Sequence, residues 1–500
     1  MNSQYTLTLF DFFRRNALLN KDRCAIHWNG SDISYADLYD HTCKLAAGLA
    51  ALGLEPGTRV AVLAKNHPAF FHLFGAASIL DLCLVLVNRR LSPEEVAYIV
   101  EDTTPAILVC DPDMAPLGKT LLAENDCLGS CVVLDENFSD LYIDGPVPEP
   151  SPDMETARSP YVIIHTAAVQ GKPRGAVLSQ ENIILSNLQL NHTFGLDKTD
   201  TYLNILPLFH IMGVNFGLGT LMAGGKNVIV EKFTPHQSLD LIQEQNVTIF
   251  GSFPPILTTL LEQIEKEHYD LSGLRAVTGL EAPDTVKKWE AATPSTFWTM
   301  YGQTETSGLI SFSTYFEQPG SAGEISALAN IAVCDDLDNI LPPGTVGEII
   351  VKGPLVFQGY WNAEDLNAFT FRQGWHHTGD LGMIDDNGFL FFKGRKAEKE
   401  LIKPGGENVF PAEVEKAILT HDAVDAACVI GVPDPKFGEG IKAVCTLVPG
   451  MALTKEELIS YTGTLIAGYK KPRYVEFIEE LPKTGDGSID RLKVKALYGA

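Results

Sequence analysis

Residues 165–175 read HTAAVQGKPRG and residues 482–491 read PKTGDGSIDR. Between them stand three further segments, which are YGQTET at 301–306, HTGD at 377–380, and a GRK at 394–396 followed by GGENVFPAEVE at 405–415. Each segment alone is a weak signal of function. Five of them in this order along 500 residues are hard to obtain by chance, so the set indicates one fold and one kind of chemistry.

The composition is that of an ordinary globular protein. Hydrophobic residues make up 45% and charged residues 20% of a chain too long for a single core, which predicts two or more domains. A formal net charge of -25 argues against nucleic-acid binding, because phosphates need a basic face. An anionic ligand would therefore depend on local cations such as Lys172, Arg174 and Arg395.

Targeting and membrane signals are weak. Nine scattered cysteines form no disulfide framework and no paired metal-ligand spacing, and the N-terminus lacks a secretory signal, so we expect a reducing cytoplasm. The apolar residues 69–87 imitate a membrane span, but His72 and Asp81 interrupt them. A buried helix running into a buried strand at 82–87 explains this stretch better, so we predict no stable membrane span.

The periodicity of the first two thirds predicts an α/β fold. Short apolar or β-branched runs alternate with amphipathic segments such as 238–245 and 255–265, which is typical of buried parallel sheets. The predicted strands are 59–64, 82–88, 107–110, 161–166, 202–206, 227–230 and 248–252. From about residue 323 the pattern changes to short strands with Gly and Pro turns, including 347–352 and 388–393, which predicts a small β-rich subdomain at 323–394.

A domain boundary is predicted near residues 394–404, where a charged run meets Pro404, Gly405 and Gly406. This boundary gives a large N-terminal domain at residues 1–394 and a small α+β domain at 395–500. The small domain is expected to hold helices at 411–419 and 455–466 and strands at 426–432 and 443–447.

The segments together resemble the adenylate-forming superfamily of acyl-CoA synthetases, peptide-synthetase adenylation domains and firefly luciferase. The resemblance runs over essentially the whole chain and implies a mobile C-terminal domain, ATP, Mg²⁺, coenzyme A and a small carboxylic acid substrate. In the implied reaction, the carboxylate attacks the α-phosphate of ATP, and coenzyme A then attacks the acyl adenylate. The chemistry is reasonable because AMP is a good leaving group, whereas the oxygen of a free carboxylate is not.

The resemblance also implies roles for single residues in the N-terminal domain. Glu305 and Thr166 are expected to hold Mg²⁺, Thr304 to contact the α-phosphate, and Tyr301 to pack on adenine. The further nucleotide contacts implied are Gln170, Gly171, Glu281, Ala282, Pro283, Gly302 and Gln303. Lys172, Glu305 and Thr166 are expected to act in catalysis.

Three more polar residues take roles by resemblance. Asp380 would accept hydrogen bonds from the ribose hydroxyls, Arg395 would reach the same ribose, and His210 would lie near the substrate carboxylate as a catalytic group. Each also has a structural interpretation, as a turn aspartate, a surface arginine or a histidine satisfied by its neighbours.

On the C-terminal side the resemblance implies coenzyme A contacts. Gly405, Gly406 and Glu407 would line the pantetheine channel, because a glycine pair lets the backbone approach a thin ligand. Lys436 and Lys470, with Lys471 and Arg473, would bind coenzyme A phosphates, although all four also fit the description of solvated loop charges.

Gly302 bears on the choice of acid. Acetate-specific relatives place a bulky Trp at this position, which closes the acyl pocket. We therefore expect an acid larger than acetate, such as a fatty or aromatic acid.

Three departures from the superfamily pattern stand out. Residues 166–175 read TAAVQGKPRG where relatives usually read TSGTTGKPKG, so hydroxyls and one glycine that cradle phosphates are missing. Ser488 stands where relatives place a lysine that neutralises phosphate charge during adenylation, and a hydroxyl cannot supply that charge. The stretch 394–406 is also two residues longer than usual, which leaves either Ala397 or Lys399 as the hinge.

Three interpretations follow. The favoured one is a working carboxylate–CoA ligase in which another cation, such as Lys483 or Lys493, replaces the missing lysine. The second is an enzyme that keeps the thioester half-reaction or its reverse but adenylates poorly. The third is a non-catalytic protein that binds acyl nucleotides or acyl-CoA. The sequence leaves open whether the chain forms a homodimer.

Overall fold

The computed structural model describes residues 7–146, 157–166, 173–396, 401–484 and 489–499. In chain order the strands are β1 (Cys24–Trp28), β2 (Ser31–Ser34), β3 (Arg59–Leu63), β4 (Cys83–Leu86), β5 (Ile107–Cys110), β6 (Ser130–Val133), β7 (Pro160–Thr166), β8 (Arg174–Ser179), β9 (Thr201–Asn204), β10 (Lys226–Ile229), β11 (Ile249–Ser252), β12 (Ala276–Gly279), β13 (Thr296–Gln303), β14 (Gly308–Thr314), β15 (Glu324–Ile325), β16 (Asn330–Cys334), β17 (Gly347–Lys352), β18 (Gly359–Tyr360), β19 (His376–Ile384), β20 (Leu390–Arg395), β21 (Val424–Asp434), β22 (Gly438–Leu447) and β23 (Tyr474–Phe477).

The α-helices of the described ranges alternate with these strands over most of the chain. They are α1 (Leu9–Leu19), α2 (Tyr35–Ala51), α3 (Ala69–Leu80), α4 (Pro93–Thr103), α5 (Ala115–Glu124), α6 (Gln180–Phe194), α7 (Ile211–Ala223), α8 (Pro235–Glu244), α9 (Ile256–Ile264), α10 (Pro283–Ala292), α11 (Glu364–Thr370), α12 (Pro411–Ile418), α13 (Lys455–Leu465) and α14 (Arg491–Tyr498).

Two large, mostly parallel sheets form the N-terminal domain. The first has the strand order β15-β14-β13-β12-β11-β9-β10-β1-β2 and the second has the order β18-β8-β7-β4-β3-β5-β6. The β9, β11, β12 and β13 neighbours pair in parallel, as do β7, β4, β3, β5 and β6. Their continuous apolar runs follow from burial on both faces of each sheet.

The two large sheets share one extensive core. Helix α3 is buried on nearly every side, and Phe70, Phe71 and Phe74 are among the largest fully buried side chains. This explains why residues 69–80 are so apolar without any contact with lipid. Among the helices of the described ranges, none combines the length and apolar character needed to cross a membrane.

Two smaller sheets complete the fold. The antiparallel sheet β16-β17-β19-β20 confirms the β-rich texture expected after residue 323, and β21-β22-β23 forms the sheet of the C-terminal part. Helices α12 and α13 pack on the latter sheet, with Val414 and Leu458 in its core. The predicted α/β class, with a large N-terminal domain and a smaller C-terminal one, is confirmed. The division at residue 394 stays a prediction.

Candidate active site

The site forms where two sheets present strand ends to each other. Parallel β11, β12 and β13 all end at one edge of the first sheet, and β13 ends at Gln303 just before the turn Thr304–Thr306. Ligands of α/β folds collect at such an edge, because the carboxyl ends of the strands leave a crevice there. Strand β7 of the second sheet brings Thr166 to the same place.

Glu305 joins the two sheets through hydrogen bonds. Its Oε1 accepts from the Thr166 hydroxyl at 3.2 Å and from the Tyr360 hydroxyl at 2.9 Å, and the side chain is buried. Burial and the nearby Glu305 charge raise the pKa of Tyr360, so this phenol stays a donor. The structure therefore brings the two predicted Mg²⁺ residues together. Their oxygen atoms suit a hard divalent cation.

A second cluster surrounds Asp380 on β19. Its Oδ2 accepts from the Tyr301 hydroxyl at 2.8 Å and from Gln303 Nε2 at 2.6 Å, while its Oδ1 lies 3.4 Å from Arg395 Nε. Asp380 and Arg395 are direct partners in the β19–β20 register, which explains their closeness despite 15 residues of separation. Four residues expected to bind nucleotide thus meet in one cluster, although their contacts with adenine and ribose stay predictions.

Lys403 is a site residue that the sequence analysis missed. Its side chain is partly buried, and burial followed by the Arg395 charge lowers its pKa to about 8, against the opposing charges of Asp380, Glu439 and Glu305. In the described part of the chain no ion pair holds this ammonium group, since only its backbone N–H bonds to Glu439 Oε2, at 2.6 Å. The charges of Asp380, Glu439 and Glu305 all act on this ammonium group, which makes Lys403 a candidate for contact with a phosphate. The signal in the sequence was a lysine two residues before the glycine pair.

The glycine pair lies against the N-terminal domain. Both Gly405 and Gly406 have positive φ, at 60° and 87°, which other residues rarely adopt. A Cβ on Gly405 would come within 3.1 Å of the Pro254 carbonyl oxygen, and a Cβ on Gly406 within 3.2 Å of the Phe253 ring. The backbone of the C-terminal part therefore approaches the end of β11 as closely as glycine allows.

Glu407 links the two parts of the protein electrostatically. Its buried carboxylate pairs with Arg90, lies 3.3 Å from His210 Nε2 and accepts from Asn88 Nδ2 at 3.3 Å. Burial alone would raise its pKa, but His210 and Arg90 outweigh this effect and lower the pKa to about 2. Glu407 and His210 contact each other in this arrangement, and their expected roles at the pantetheine arm and the substrate carboxylate stay predictions.

The cations proposed for coenzyme A phosphates divide into two groups. Lys436 is exposed beside Phe437, whose ring approaches Gly405, and Arg473 covers the same ring at 4.5 Å from its centroid while its Nε pairs with buried Asp434 at 3.0 Å. Lys470 is different. Only 3% of its side chain is exposed, and its ammonium group pairs with Glu95 and Glu413, the latter at 2.6 Å. The assignment of Lys470 to a phosphate is corrected, because two partly buried carboxylates already hold its charge.

The structural reason for Gly302 also differs from the expected one. A Cβ there would lie 1.8 Å from the Gly308 carbonyl oxygen of the paired strand β14, at a bulge between Tyr301 and Gly302. Strand pairing, and not the size of an acyl pocket, demands glycine at this position. The inference from Gly302 to a larger acid is therefore withdrawn.

The loop after β12 carries three of the predicted nucleotide contacts, which are Glu281, Ala282 and Pro283. Glu281 accepts from the Ser252 hydroxyl at 2.9 Å, and burial raises its pKa to about 7. Ala282 caps helix α10 and Pro283 is the first residue of that helix, both exposed at the same edge as the other strand ends. Partly exposed Thr304 begins the turn that carries Glu305. Their nucleotide contacts stay predictions.

Several predicted residues lie outside the described ranges, namely Gln170, Gly171, Lys172, Ala397, Lys399 and Ser488. The two lysines proposed to replace the missing charge, Lys483 and Lys493, lie within the described ranges. Lys483 lies 3.8 Å from Glu480, and Lys493 is exposed on α14.

A further trio, Cys334, Glu348 and His377, has the spacing of metal ligands. Lys396 and Arg372 both donate to the Glu348 oxygen that faces His377, at 3.0 Å and 3.4 Å, so a metal ion there would meet two positive charges. The geometry opposes a metal centre at this trio.

Two family models match the chain. The model of the family described as AMP-binding enzyme matches residues 13–361, and the model described as AMP-binding enzyme C-terminal domain matches residues 413–488. The chain is 31% identical to a feruloyl-CoA synthase of Amycolatopsis sp over 97% of this chain and 98% of that protein. It is 32% identical to a 2-succinylbenzoate–CoA ligase of Bacillus cereus over 98% of each.

Solved structures of one relative differ in how well they superpose. A double mutant of the o-succinylbenzoate CoA synthetase of Bacillus subtilis, 27% identical over 97% of this chain and 98% of that one, gives a TM-score of 0.85 when bound to a coenzyme A product analogue. The same enzyme in complex with its acyl-adenylate intermediate gives a TM-score of 0.71 over 97% of both chains.

Proposed function

The chain belongs to the AMP-binding enzyme family, and from this premise we propose that it joins an aromatic carboxylic acid to coenzyme A through an acyl adenylate. It is an AMP-forming acid–thiol ligase, and enzymes of this kind use ATP, Mg²⁺ and coenzyme A. The observation that carries the proposal is the convergence of Glu305, Asp380 and Lys403 at one sheet edge, with Gly405 and Gly406 against it.

In the first half-reaction, a carboxylate oxygen attacks the α-phosphorus of ATP and the bond to pyrophosphate breaks. Asp380 would hold the ribose, with Tyr301 and Gln303 fixing its carboxylate so that little rearrangement is needed. Glu305 and Thr166 would hold Mg²⁺, which neutralises phosphate charge when bound. These groups fix the α-phosphate where the acid can reach it.

In the second half-reaction, the thiol of coenzyme A attacks the acyl carbon and AMP leaves. Lys403 would stabilise the negative charge that the departing AMP phosphate carries. The glycine pair would let the pantetheine arm pass the end of β11, with Lys436 and Arg473 at its mouth. The better superposition on the coenzyme A analogue complex supports the view that this arrangement serves the thioester step.

An aromatic acid is favoured by the names of the relatives. Feruloyl-CoA synthase and 2-succinylbenzoate–CoA ligase are both named for acids with a benzene ring. Since Gly302 gives no evidence about the size of the acyl group, the relatives are the main support for an aromatic acid.

A second function is favoured by the sequence around the phosphates. Ser488 replaces a charged residue, and residues 167–170 lack the usual hydroxyls. Both changes fall on the pyrophosphate side of the reaction. An enzyme that makes the thioester well but forms the adenylate slowly would fit them.

The experiment that tests these proposals uses two assays in parallel. ATP–pyrophosphate exchange would be measured with ferulate, 2-succinylbenzoate, benzoate, palmitate and acetate, and thioester formation would be measured from synthetic acyl adenylates and coenzyme A. Exchange with the aromatic acids in preference to palmitate and acetate is the expected result. Thioester formation without exchange would establish the second function, and an exchange preference for palmitate would overturn the aromatic assignment.

A further inference from the structure

Glu348 lies behind the Asp380 cluster and does not face it. It belongs to β17, only 4% of its side chain is exposed, and four donors surround its carboxylate. Its Oε1 accepts from the Gly379 backbone N–H at 2.9 Å. Its Oε2 accepts from Lys396 Nζ at 3.0 Å and from Arg372 at 3.4 Å, and it lies 3.2 Å from His377 Nδ1.

These donors belong to both segments that carry the ribose residues. Gly379 immediately precedes Asp380 on β19, and Lys396 immediately follows Arg395 at the end of β20. Asp380 and Arg395 are register partners, and the β19–β20 pairing is irregular between Leu381 and Gly382. The Lys396 N–H donates to the Gly379 carbonyl at 3.0 Å, so the two strands are already joined at the backbone beside Asp380 and Arg395. Glu348 adds a second link between the two segments, because its carboxylate holds the Gly379 backbone N–H and the Lys396 side chain at once.

Cations dominate the environment of this carboxylate. Burial would raise the pKa of Glu348, but His377, Lys396 and the Gly379 N–H outweigh burial and lower the pKa to about 2. Asp336 and Asp338 share the surrounding cations, through Lys396 and Arg372 respectively. A fully ionised group with four donors is a rigid anchor, because losing any one contact leaves a buried charge partly unpaired.

We propose that Glu348 is a positioning residue for nucleotide binding, which clamps the Asp380 and Arg395 segments together so that both side chains address the ribose hydroxyls. The inference rests on the proposed function, because the ribose role of Asp380 is part of it. Glu348 acts through Asp380 and Arg395 and touches no ligand. Its effect is therefore confined to the part of the binding energy that comes from the ribose hydroxyls.

The test compares AMP with 2′,3′-dideoxy-AMP, which lacks both hydroxyls, by calorimetry on the full-length protein. Glu348→Gln keeps the shape but presents an amide to Lys396. We expect it to weaken AMP binding about tenfold and dideoxy-AMP binding less than about twofold. Glu415→Gln is the matched control, because Glu415 also accepts from a backbone N–H, that of Val429 at 2.7 Å, and pairs with Arg491.

Each outcome decides something. Equal losses for both nucleotides in Glu348→Gln, or the same selective loss in Glu415→Gln, would overturn the clamp while leaving the proposed function intact. Failure of the unmodified protein to bind AMP would overturn the proposed function itself. Should Glu348→Gln not fold, Lys396→Met removes one arm of the clamp, and we expect a selective loss of about threefold for AMP. No selectivity in that variant would also overturn the proposal.

Discussion

The ammonium group of Lys403 should make nucleotide binding sensitive to pH. With a pKa of about 8, set by burial and by Arg395, the group is charged below that pH and neutral above it. About nine tenths of the molecules carry the charge at pH 7 and about one tenth at pH 9. If the charged form binds the AMP phosphate, the apparent affinity should fall about tenfold over this interval, since it scales with the competent fraction.

Two substitutions separate this cause from others. Lys403→Met removes the charge and should weaken AMP binding at pH 7 by about 1.5–3 kcal/mol, or about 10- to 100-fold, while abolishing the tenfold loss at pH 9. Lys403→Arg keeps a charge at both pH values and should bind AMP almost independently of pH. Calorimetry at pH 7 and pH 9 measures all three proteins, with Lys493→Met as the exposed-lysine control. A Lys403→Met protein with the pH dependence of the unmodified protein would refute the reasoning.

Three other substitutions have definite expected outcomes. Ser488→Lys should restore the missing charge and raise ATP–pyrophosphate exchange about 10- to 100-fold, with thioester formation from supplied adenylate unchanged; a rise in both assays would contradict this. Lys470→Met leaves the partly buried Glu95 and Glu413 without their shared cation, so urea unfolding should show a loss of about 3 kcal/mol, while exposed Lys471→Met should lose almost nothing. Gly302→Ala places a methyl group against the Gly308 carbonyl and should cost about 1–3 kcal/mol in the same assay, and a stable variant would show that β14 can move away.

The cluster at Asp380 shows how far sequence reasoning reached. The order of the segments predicted that Tyr301, Gln303, Asp380 and Arg395 serve one site, and the structure brings all four together. Lys403 escaped notice because its place two residues before the glycine pair does not reveal that the charges of Asp380 and Glu305 act on its ammonium group. Its pKa depends on groups from three separate strands and loops, which only packing assembles.

Lys470 and Gly302 show the opposite failure, where a residue type suggested a role that its surroundings deny. A lysine in a loop rich in cations looks like a phosphate ligand until Glu95, 375 residues earlier, is found beside it. A glycine in a site segment suggests space for substrate, but the carbonyl of the neighbouring strand occupies the position that a side chain would need.

The sequence by itself determined the α/β class and the family, because these follow from local periodicity and from the order of short motifs, and the resemblance to that family supplied the expected site residues. Only the tertiary structure decided which charged side chains are paired with an opposite charge, since burial and ion pairing depend on partners hundreds of residues apart. The ammonium group of Lys403, which forms no ion pair with any described residue, and the paired one of Lys470 are the same chemical group in the sequence, and only their surroundings make one a candidate for catalysis and the other part of an ion pair.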